Sequence, residues 1–248
     1  MLKKRFIIWI KVLFNYFISF GKLECIILDS KETVNLQMNT KKSLIRFGDG
    51  EFNLLNKKDV HYQKYSPKLV SELKIILQEY SNKSNYIIAV PYYYFSNNNR
   101  VLNNRLLISC WSIAKTVFKN NMKNDVPYGD AFLFSKDNKE SFIYEKLWES
   151  YTNIIFVHNN KSYSKAISLK DNQKLFYVRV PNKNSYEKIN DIQIDIEKIF
   201  VSNNLNKKDS IILISSGPAA KVMIYNLSKK GFLCIDTGHC WDNPLEVV

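Results

Sequence analysis

The sequence predicts an α/β layered fold with a mostly parallel sheet, because strand-like segments alternate with segments of helical periodicity along most of the 248 residues. The unit at the C-terminal end is the clearest, with a strand at 210–215, a helix at 218–230 and a strand at 232–236. Pro218 at the helix start and Gly231 after its end follow the usual capping asymmetry. Strand, helix and strand at this spacing form a βαβ unit, which requires parallel strands.

The first 22 residues form a separate segment, which we predict to be an amphipathic helix. Three basic residues precede an apolar stretch over 6–20 that has two polar interruptions and no cleavage site, so we expect neither a signal peptide nor a spanning helix. Such a helix either lies on an anionic membrane or docks on the protein's own core or a partner chain, and both remain open. Wound as a helix, the segment places on one narrow polar stripe Lys4, Lys11, Asn15, Ser19 and Lys22.

Four elements are predicted between this segment and the middle of the chain. Ser66 and Pro67 suit the N-cap and the first position of a helix, since apolar residues then recur at helical spacing. A short apolar run that ends at a Gly-rich turn indicates a buried strand, and another run ends at Pro91. The predicted strands are 43–47 and 86–90, and the predicted helices are the one that Pro67 opens and another over about 101–119.

Four further elements lead up to the C-terminal βαβ unit. Apolar runs of five or six residues indicate the strands, and helical periodicity indicates the helices. We found neither repeats nor a low-complexity linker, so residues 23–248 are expected to form one domain. The predicted strands cover 154–158 and 175–180, and the predicted helices cover about 140–151 and 186–202.

Composition narrows the class of protein. A net charge of +13 favours anionic partners, but no basic run interleaved with stacking aromatics occurs, so nucleic acid is not an expected partner. The four cysteines form no C-x-x-C pair, which argues against a structural zinc site and a disulfide framework. We expect free thiols in a cytoplasmic protein, located at the inner face of the cell membrane where residues 1–22 would bind it.

Two carboxylates follow the strand at 43–47. Ligands of open α/β sheets bind beyond the carboxyl ends of the strands, which is where Asp49 and Glu51 stand. On a Gly-flanked turn both could point at one hard cation, and Mg²⁺ or Mn²⁺ prefers such oxygen ligands together with substrate phosphates. His239 is a candidate third ligand. The alternative is a solvated acidic turn.

A second candidate site opens the helix at 218–230. Ser216 and Gly217 precede the helix start, whose N–H groups attract anions, and Lys221 in its first turn could reach a phosphate. The alternative is an ordinary connection between strand and helix. Arg46 and Gly48, beside the acidic turn, complete the predicted cofactor-binding set, although an arginine on a strand often forms only an ion pair.

Four segments carry a recognisable pattern: SLIRFGDGEFNLL (43–55), KYSPKLVSELKIIL (64–77), YGDAFL (128–133) and IILISSGPAAKVMIYNLSKKGFLCIDTGH (211–239). Together they resemble the bacterial glycosyltransferases of the GT-D fold. The resemblance implies a Rossmann-like domain, a UDP-sugar donor (typically UDP-glucose) and an acceptor that is a glycan on a protein or a cell-surface polysaccharide precursor. It also implies that the D-x-E motif, here Asp49 and Glu51, binds Mn²⁺ or Mg²⁺ with the diphosphate and carries the catalysis.

The sequence also departs from that family after the strand at 154–158. His158-Asn159-Asn160 replaces a Glu-Gly pair, and KSYSKAISLKDN replaces a Gly-rich stretch. The donor sugar and the acceptor therefore do not follow from the resemblance. Two rival functions remain, namely a metal-dependent nucleotide hydrolase and a non-catalytic scaffold of a glycan-assembly complex.

Overall fold

The computed structural model describes residues 2–136, 138 and 143–241, with residues 2–5 as backbone only. Seven parallel strands form one sheet in the described chain, in the order β3-β2-β1-β7-β6-β4-β5. The predicted α/β class with a parallel sheet is confirmed. The strands are β1 Ser43–Arg46, β2 Tyr86–Val90, β3 Gly129–Asp130, β4 Asn153–His158, β5 Lys174–Arg179, β6 Ser210–Ile214 and β7 Cys234–Asp236.

Helices cover both faces of the sheet, so the central strands are buried on two sides and read as continuous apolar runs. Consecutive residues of a strand point to opposite faces: Leu44 lies in one core and Ile45 in the other. The helices are α1 Leu2–Ile18, α2 Ser30–Thr40, α3 Asp49–Leu55, α4 Pro67–Glu79, α5 Tyr92–Phe95, α6 Arg105–Lys119, α7 Ile189–Ser202 and α8 Pro218–Lys229.

Most predicted elements are confirmed within a few residues at their ends. Ser66 caps α4 through its side chain, as expected, and α8 begins at Pro218. The helix expected at 101–119 begins later, at Arg105, because Asn104 provides the cap. The helix expected at 140–151 lies partly outside the described residues, and its described part is a 3₁₀ turn at Tyr144–Leu147 followed by turn residues.

Several described elements were not predicted, among them α2, α3, α5 and β3. The Gly-rich stretch 48–51 was expected to be a turn, yet it starts helix α3, since Glu51 folds back onto the N–H of Gly48 and satisfies one of the exposed donors. Helix α2 carries a reciprocal capping box between Asp29 and Glu32. Strand β3 has only two residues and gives no periodic signal.

The strand order explains where the site forms. β1 pairs with β7 through Leu44 and Ile235, and β7 pairs with β6 through Asp236 and Ile214. All three strands are parallel, so their carboxyl ends meet at one edge. Residues from β1, β6 and β7, which are far apart in sequence, therefore become neighbours in the middle of that edge.

The N-terminal helix packs against α6 with its polar side. Asn15 and Ser19, from the predicted polar stripe, are buried there, and large apolar side chains of α1 face outward. The choice between a membrane surface and the protein's own core is thus resolved in part, because α1 docks on the core and still leaves an apolar surface exposed. Within the part of the chain that the structure describes, no helix has the length and apolar character to span a membrane.

Candidate functional site

A buried lysine stands at the centre of the carboxyl edge of the sheet. The ammonium of Lys221, in the first turns of α8, lies 2.9 Å from Glu51 Oε1 and 2.9 Å from Asp236 Oδ2. It also donates to the carbonyl of Gly217 at 3.2 Å. The three charged side chains are at most 6% exposed. This ionic cluster joins the segments that follow β1 and β6 to the end of β7.

Backbone N–H groups hold the two carboxylates of the cluster in place. Glu51 Oε2 accepts from the N–H of Gly48 at 2.8 Å, and Asp236 accepts from the N–H groups of Arg46 and Gly238 at 3.2 Å each. Both oxygens of each carboxylate are therefore bound, either to backbone or to Lys221. Such satisfaction is what a buried charge requires.

The electrostatics keep Lys221 protonated. Burial acts to lower the pKa of its ammonium, but the nearby charges of Asp236 and Glu51 and their hydrogen bonds outweigh burial, so the pKa of Lys221 is raised above its usual value. Lys221 was predicted to reach a phosphate, and the structure shows its ammonium bound to two protein carboxylates. Its contact with a phosphate stays a prediction.

Asp49 and Glu51 face different surroundings, although the sequence predicts that they share one cation. Asp49 is exposed on the first turn of α3, whereas Glu51 is buried beneath it. The reason is helical geometry, since residues two apart on a helix do not face the same side. Burial, followed by the charge of nearby Asp49, raises the pKa of the Cys110 thiol to about 12.

Tyr62 covers the cluster from the loop between α3 and α4. Its hydroxyl stands so close to Gly50 that a methyl group there would overlap it, and its ring lies 3.1 Å from where a methyl group of Gly217 would be. Gly217 also has a φ of +52°, which a side chain disfavours. Burial first, then the charges of Glu51 and Asp49, raise the pKa of Tyr62 and keep its phenol neutral.

Two polar atoms of the predicted cofactor-binding set have hydrogen-bonding capacity left. Arg46 donates through Nη1 to the carbonyl of Thr237 at 3.3 Å, and its guanidinium lies 5.2 Å from the ring centre of Phe134. Its buried Nε has no acceptor among the described residues. The buried hydroxyl of Ser216 also has no hydrogen-bond partner among them. Buried polar atoms of this kind normally have a partner, so a ligand could supply it.

The predicted metal ligands do not form a three-residue cluster. Across residues 2–136, 138 and 143–241, no three His, Cys, Asp or Glu side chains are grouped so that they could hold an ion. His239 is exposed, with its ring centre 6.4 Å from that of Tyr62. A site that combines one or two carboxylates with substrate phosphates is usual for Mg²⁺, and exposed Asp49 fits it. Metal binding stays a prediction.

A polar cavity of about 520 Å³ opens at the same sheet edge, beyond β4 and β5. Its wall combines two tyrosine rings, two cations and three amides, which is a set suited to the faces and hydroxyls of a sugar and to an attached anion. The buried Oδ1 of Asn159 has no described partner. The lining residues are Asn159, Asn160, Lys161, Tyr163, Tyr177, Arg179 and Asn182.

Sequence reasoning missed two members of the site. Asp236 is not among the predicted site residues, yet it binds Lys221. Its position at the carboxyl end of a buried strand could have identified it, because an ionised residue there needs a partner. Tyr62 lies in a loop without a motif, and no signal in one sequence singles it out.

Fold and site together define an α/β protein whose candidate site lies at the carboxyl edge of a parallel sheet, beside the start of a helix, where proteins of this class bind ligands. A family model described as "Glycosyltransferase GT-D fold" matches residues 44–243. The chain therefore belongs to the family of GT-D-fold glycosyltransferases. The predicted enzyme class agrees with this family, whose description denotes the transfer of a sugar from a donor to an acceptor.

Relatives agree with this assignment. The chain is 25% identical over 233 residues to "Glycosyltransferase GlyD" of Streptococcus pneumoniae serotype 4, covering 84% of this chain and 26% of that protein. It is 23% identical over 229 residues to "Probable glycosyl transferase Gly" of Streptococcus gordonii, covering 86% of this chain and 32% of that protein. The chain thus spans about a quarter to a third of the length of these curated relatives.

Solved structures share the fold. One, described as showing that domain of unknown function 1792 "has a distinct glycosyltransferase fold", matches with a TM-score of 0.70 and 26% identity, over 92% of this chain and 81% of that one. Another, "A New Glycosyltransferase (DUF1792) from Streptococcus sanguinis", matches with a TM-score of 0.70 and 21% identity, over 88% of this chain and 82% of that one. The second likeness supports the fold alone.

Proposed function

We propose that the chain transfers a hexose, and specifically glucose, from a UDP-sugar to a cell-surface glycan or glycoprotein acceptor, and that the reaction depends on Mn²⁺ or Mg²⁺. The family supplies the reaction class. The donor, the metal and the acceptor are proposals that the charges and cavities of this chain support.

The charge balance of the site is the observation that carries metal dependence. Three carboxylates, Asp49, Glu51 and Asp236, stand against Lys221 and Arg46, which leaves one negative charge beside the start of α8. A nucleoside diphosphate is itself an anion and would be repelled by that charge. A divalent cation shared between Asp49 and the diphosphate would change the net charge of the site from negative to positive and so attract the diphosphate.

The chain's own residues would bind and orient the donor. The diphosphate would lie at the start of α8, where the hydroxyl of Ser216 and the Nε of Arg46 lack described partners. Lys221, fixed by Glu51 and Asp236, would hold its positive charge at the base of this site. When bound, the metal would neutralise charge that develops on the departing UDP.

The two predicted metal ligands would have different roles. Asp49 is exposed and can bind an ion directly, whereas both oxygens of Glu51 are already held by Lys221 and the N–H of Gly48. Glu51 would therefore contribute a direct ligand only by sharing an oxygen that Lys221 now holds. We retain Asp49 as the principal ligand.

Calorimetric titration of UDP-glucose with and without MnCl₂ tests the donor and the metal. We expect tight binding only with Mn²⁺, and loss of the Mn²⁺ effect in Asp49→Ala. Asp195→Ala is the matched control, because Asp195, like Asp49, is an exposed carboxylate on an α-helix, in this case α7. Equal binding with and without metal would contradict the proposal.

The same preparation separates the rival functions. Radiolabelled UDP-glucose is incubated alone and with a cell-envelope extract as the source of acceptor. A transferase moves label into the envelope fraction, while a nucleotide hydrolase releases UDP equally in both cases. A scaffold gives neither result, and Asp49→Ala would then leave the cellular glycans unchanged.

We place the acceptor in the cavity beyond β4 and β5, next to the donor edge. Its tyrosines, amides and cations fit a glycan that carries an anionic group. We further propose a cytoplasmic location at the inner face of the cell membrane. The outward apolar side chains of α1 support this location.

A further inference from the structure

Helix α1 is inverted with respect to an ordinary surface helix, which turns its polar side to water. Its outward side chains include Phe6, Phe14 and Phe17, each more than 60% exposed. At about 100° per residue the outward apolar side chains other than Ile8 occupy an arc of roughly 140°, and Ile8, which is 55% exposed, lies outside it. Leu106 of the adjacent helix α6 is also exposed. We call this surface the α1 face; its members are Phe6, Ile7, Ile10, Leu13, Phe14, Phe17, Ile18 and Leu106.

The inner side of α1 is fixed by polar contacts. Ser19 donates to the carbonyl of Ser112 at 3.3 Å, and Thr116 donates to the carbonyl of Asn15 at 3.3 Å. Asn99 donates to the carbonyl of Tyr16 at 2.7 Å. Rotating α1 to hide its apolar side would break these buried hydrogen bonds, each costly to leave unmade. The apolar side is therefore held outward by the fold.

Charges around the α1 face have one sign. Helices α1 and α6 contain seven Lys and Arg residues, four in α1 and three in α6, and no Asp or Glu. Lys11 borders the face on one side, and the guanidinium of Arg105 lies 5.9 Å from the ring centre of Trp9 on the other. An apolar surface with a basic rim matches the surface of an anionic bilayer.

We propose that the α1 face docks on an anionic phospholipid bilayer, with α1 parallel to the membrane plane, its apolar side among the upper acyl chains and Lys11 and Arg105 at the headgroups. This deepens the proposed location and does not depend on the donor or the metal. A second copy of the chain is a weaker candidate for this face, because a symmetric pair would bring two basic rims together.

Vesicle co-sedimentation tests the contact. The full chain is mixed with vesicles of phosphatidylglycerol and phosphatidylcholine in equal parts, or of phosphatidylcholine alone. We expect binding to the anionic vesicles, at least a tenfold loss in Phe14→Asp with Phe17→Asp, and a comparable loss in Lys11→Glu with Arg105→Glu. The matched control is Ile194→Asp with Val201→Asp, two exposed apolar positions on α7, which should bind as the wild type does.

Several outcomes would overturn the inference. These are no binding of the wild-type chain to anionic vesicles, equal binding to both vesicle types, or unchanged binding of both α1-face variants. Light scattering gives a further outcome that would overturn the inference. If the wild type is a dimer and the variant with Phe14→Asp and Phe17→Asp is a monomer, a second copy of the chain covers the α1 face. Circular dichroism melting confirms that each variant is folded. UDP-glucose turnover in solution should stay the same in the α1-face variants, so a failure of vesicle binding is separate from a failure of the enzymatic proposal.

Discussion

The ammonium of Lys221 lies 2.9 Å from a carboxylate oxygen of Glu51, and both side chains are only 6% exposed. Removing one partner of a buried charged cluster leaves uncompensated charge in a dry environment. We therefore expect Lys221→Met to lower the free energy of unfolding by about 3–5 kcal/mol, measured by urea denaturation at neutral pH.

The same helix provides the control for that substitution. Lys229 of α8 pairs with Glu79, and each side chain of this pair is about half exposed. We expect Lys229→Met to change the unfolding free energy by less than ~1 kcal/mol, since exposed ion pairs contribute little. Similar losses in the two variants would show that the Lys221 cluster is not a buried electrostatic unit.

Asp49→Asn should separate activity from stability. Asp49 is exposed on the first turn of α3, so the substitution should leave the unfolding free energy within about 0.5 kcal/mol. If Asp49 binds the metal, Mn²⁺-dependent turnover of UDP-glucose should fall roughly a hundredfold, or ~2.7 kcal/mol. The measurement is initial-rate UDP release over a range of MnCl₂ concentrations, with Asp195→Asn as the control. Undiminished Mn²⁺-dependent turnover would remove Asp49 from the metal site.

Tyr163→Ala and Arg179→Ala should affect the acceptor alone. Both residues line the cavity beyond β4 and β5, away from the Lys221 cluster, which joins α3 and α8 to the end of β7. We expect the apparent KM for the envelope acceptor to rise roughly tenfold in each, or ~1.4 kcal/mol, with an unchanged Kd for UDP-glucose. Leu169→Ala, at an exposed position of the neighbouring loop, is the control. A change in the donor Kd instead would assign the cavity to the donor.

Lys115 makes stability depend on pH. Burial, and then the charge of Lys119, lower the pKa of its ammonium to about 8, against 10.5 in the unfolded chain. Between these values the unfolded chain holds more protons, so the unfolding free energy rises with pH by up to ~1.4 kcal/mol per unit. Urea denaturation between about pH 7 and pH 10 should show that the unfolding free energy of the wild type rises with pH relative to that of Lys115→Met, because buried thiols with raised pKa values, such as Cys110, affect both proteins equally. The exposed-site control Lys198→Met should follow the wild type, and parallel pH profiles of the wild type and Lys115→Met would contradict the lowered pKa.

The elements that sequence reasoning found are those with local signals. β2 is an unbroken apolar run before a proline, and α4 starts with a serine cap and a proline. Helix α2 was not predicted, although the residues of its capping box, Asp29 and Glu32, have the spacing that indicates a helix start. Strand β3 is too short for any periodicity, because its pairing with β2 alone defines it.

The candidate site also has features that the sequence predicts and features that only the tertiary structure shows. Sequence order alone indicated that Asp49, Glu51, Ser216 and Lys221 follow strands, and hence that they lie at one sheet edge. It did not indicate that Lys221 binds Glu51 and Asp236, because that contact requires β7 to stand between β1 and β6. Nor could it show that Asp49 and Glu51 face apart, which follows only once the turn is seen to be a helix.

By itself, the sequence determined the parallel α/β class, the family and the amphipathic character of residues 1–22, because these depend on local periodicity and on motifs. Only the tertiary structure decided which charges neutralise one another and which side of α1 remains exposed. Both outcomes depend on partners distant in the chain: Asp236 for Lys221, and Ser112 and Thr116 of α6 for the polar stripe. Burial makes those partners necessary, since a charge or a hydroxyl removed from water must be matched inside the protein.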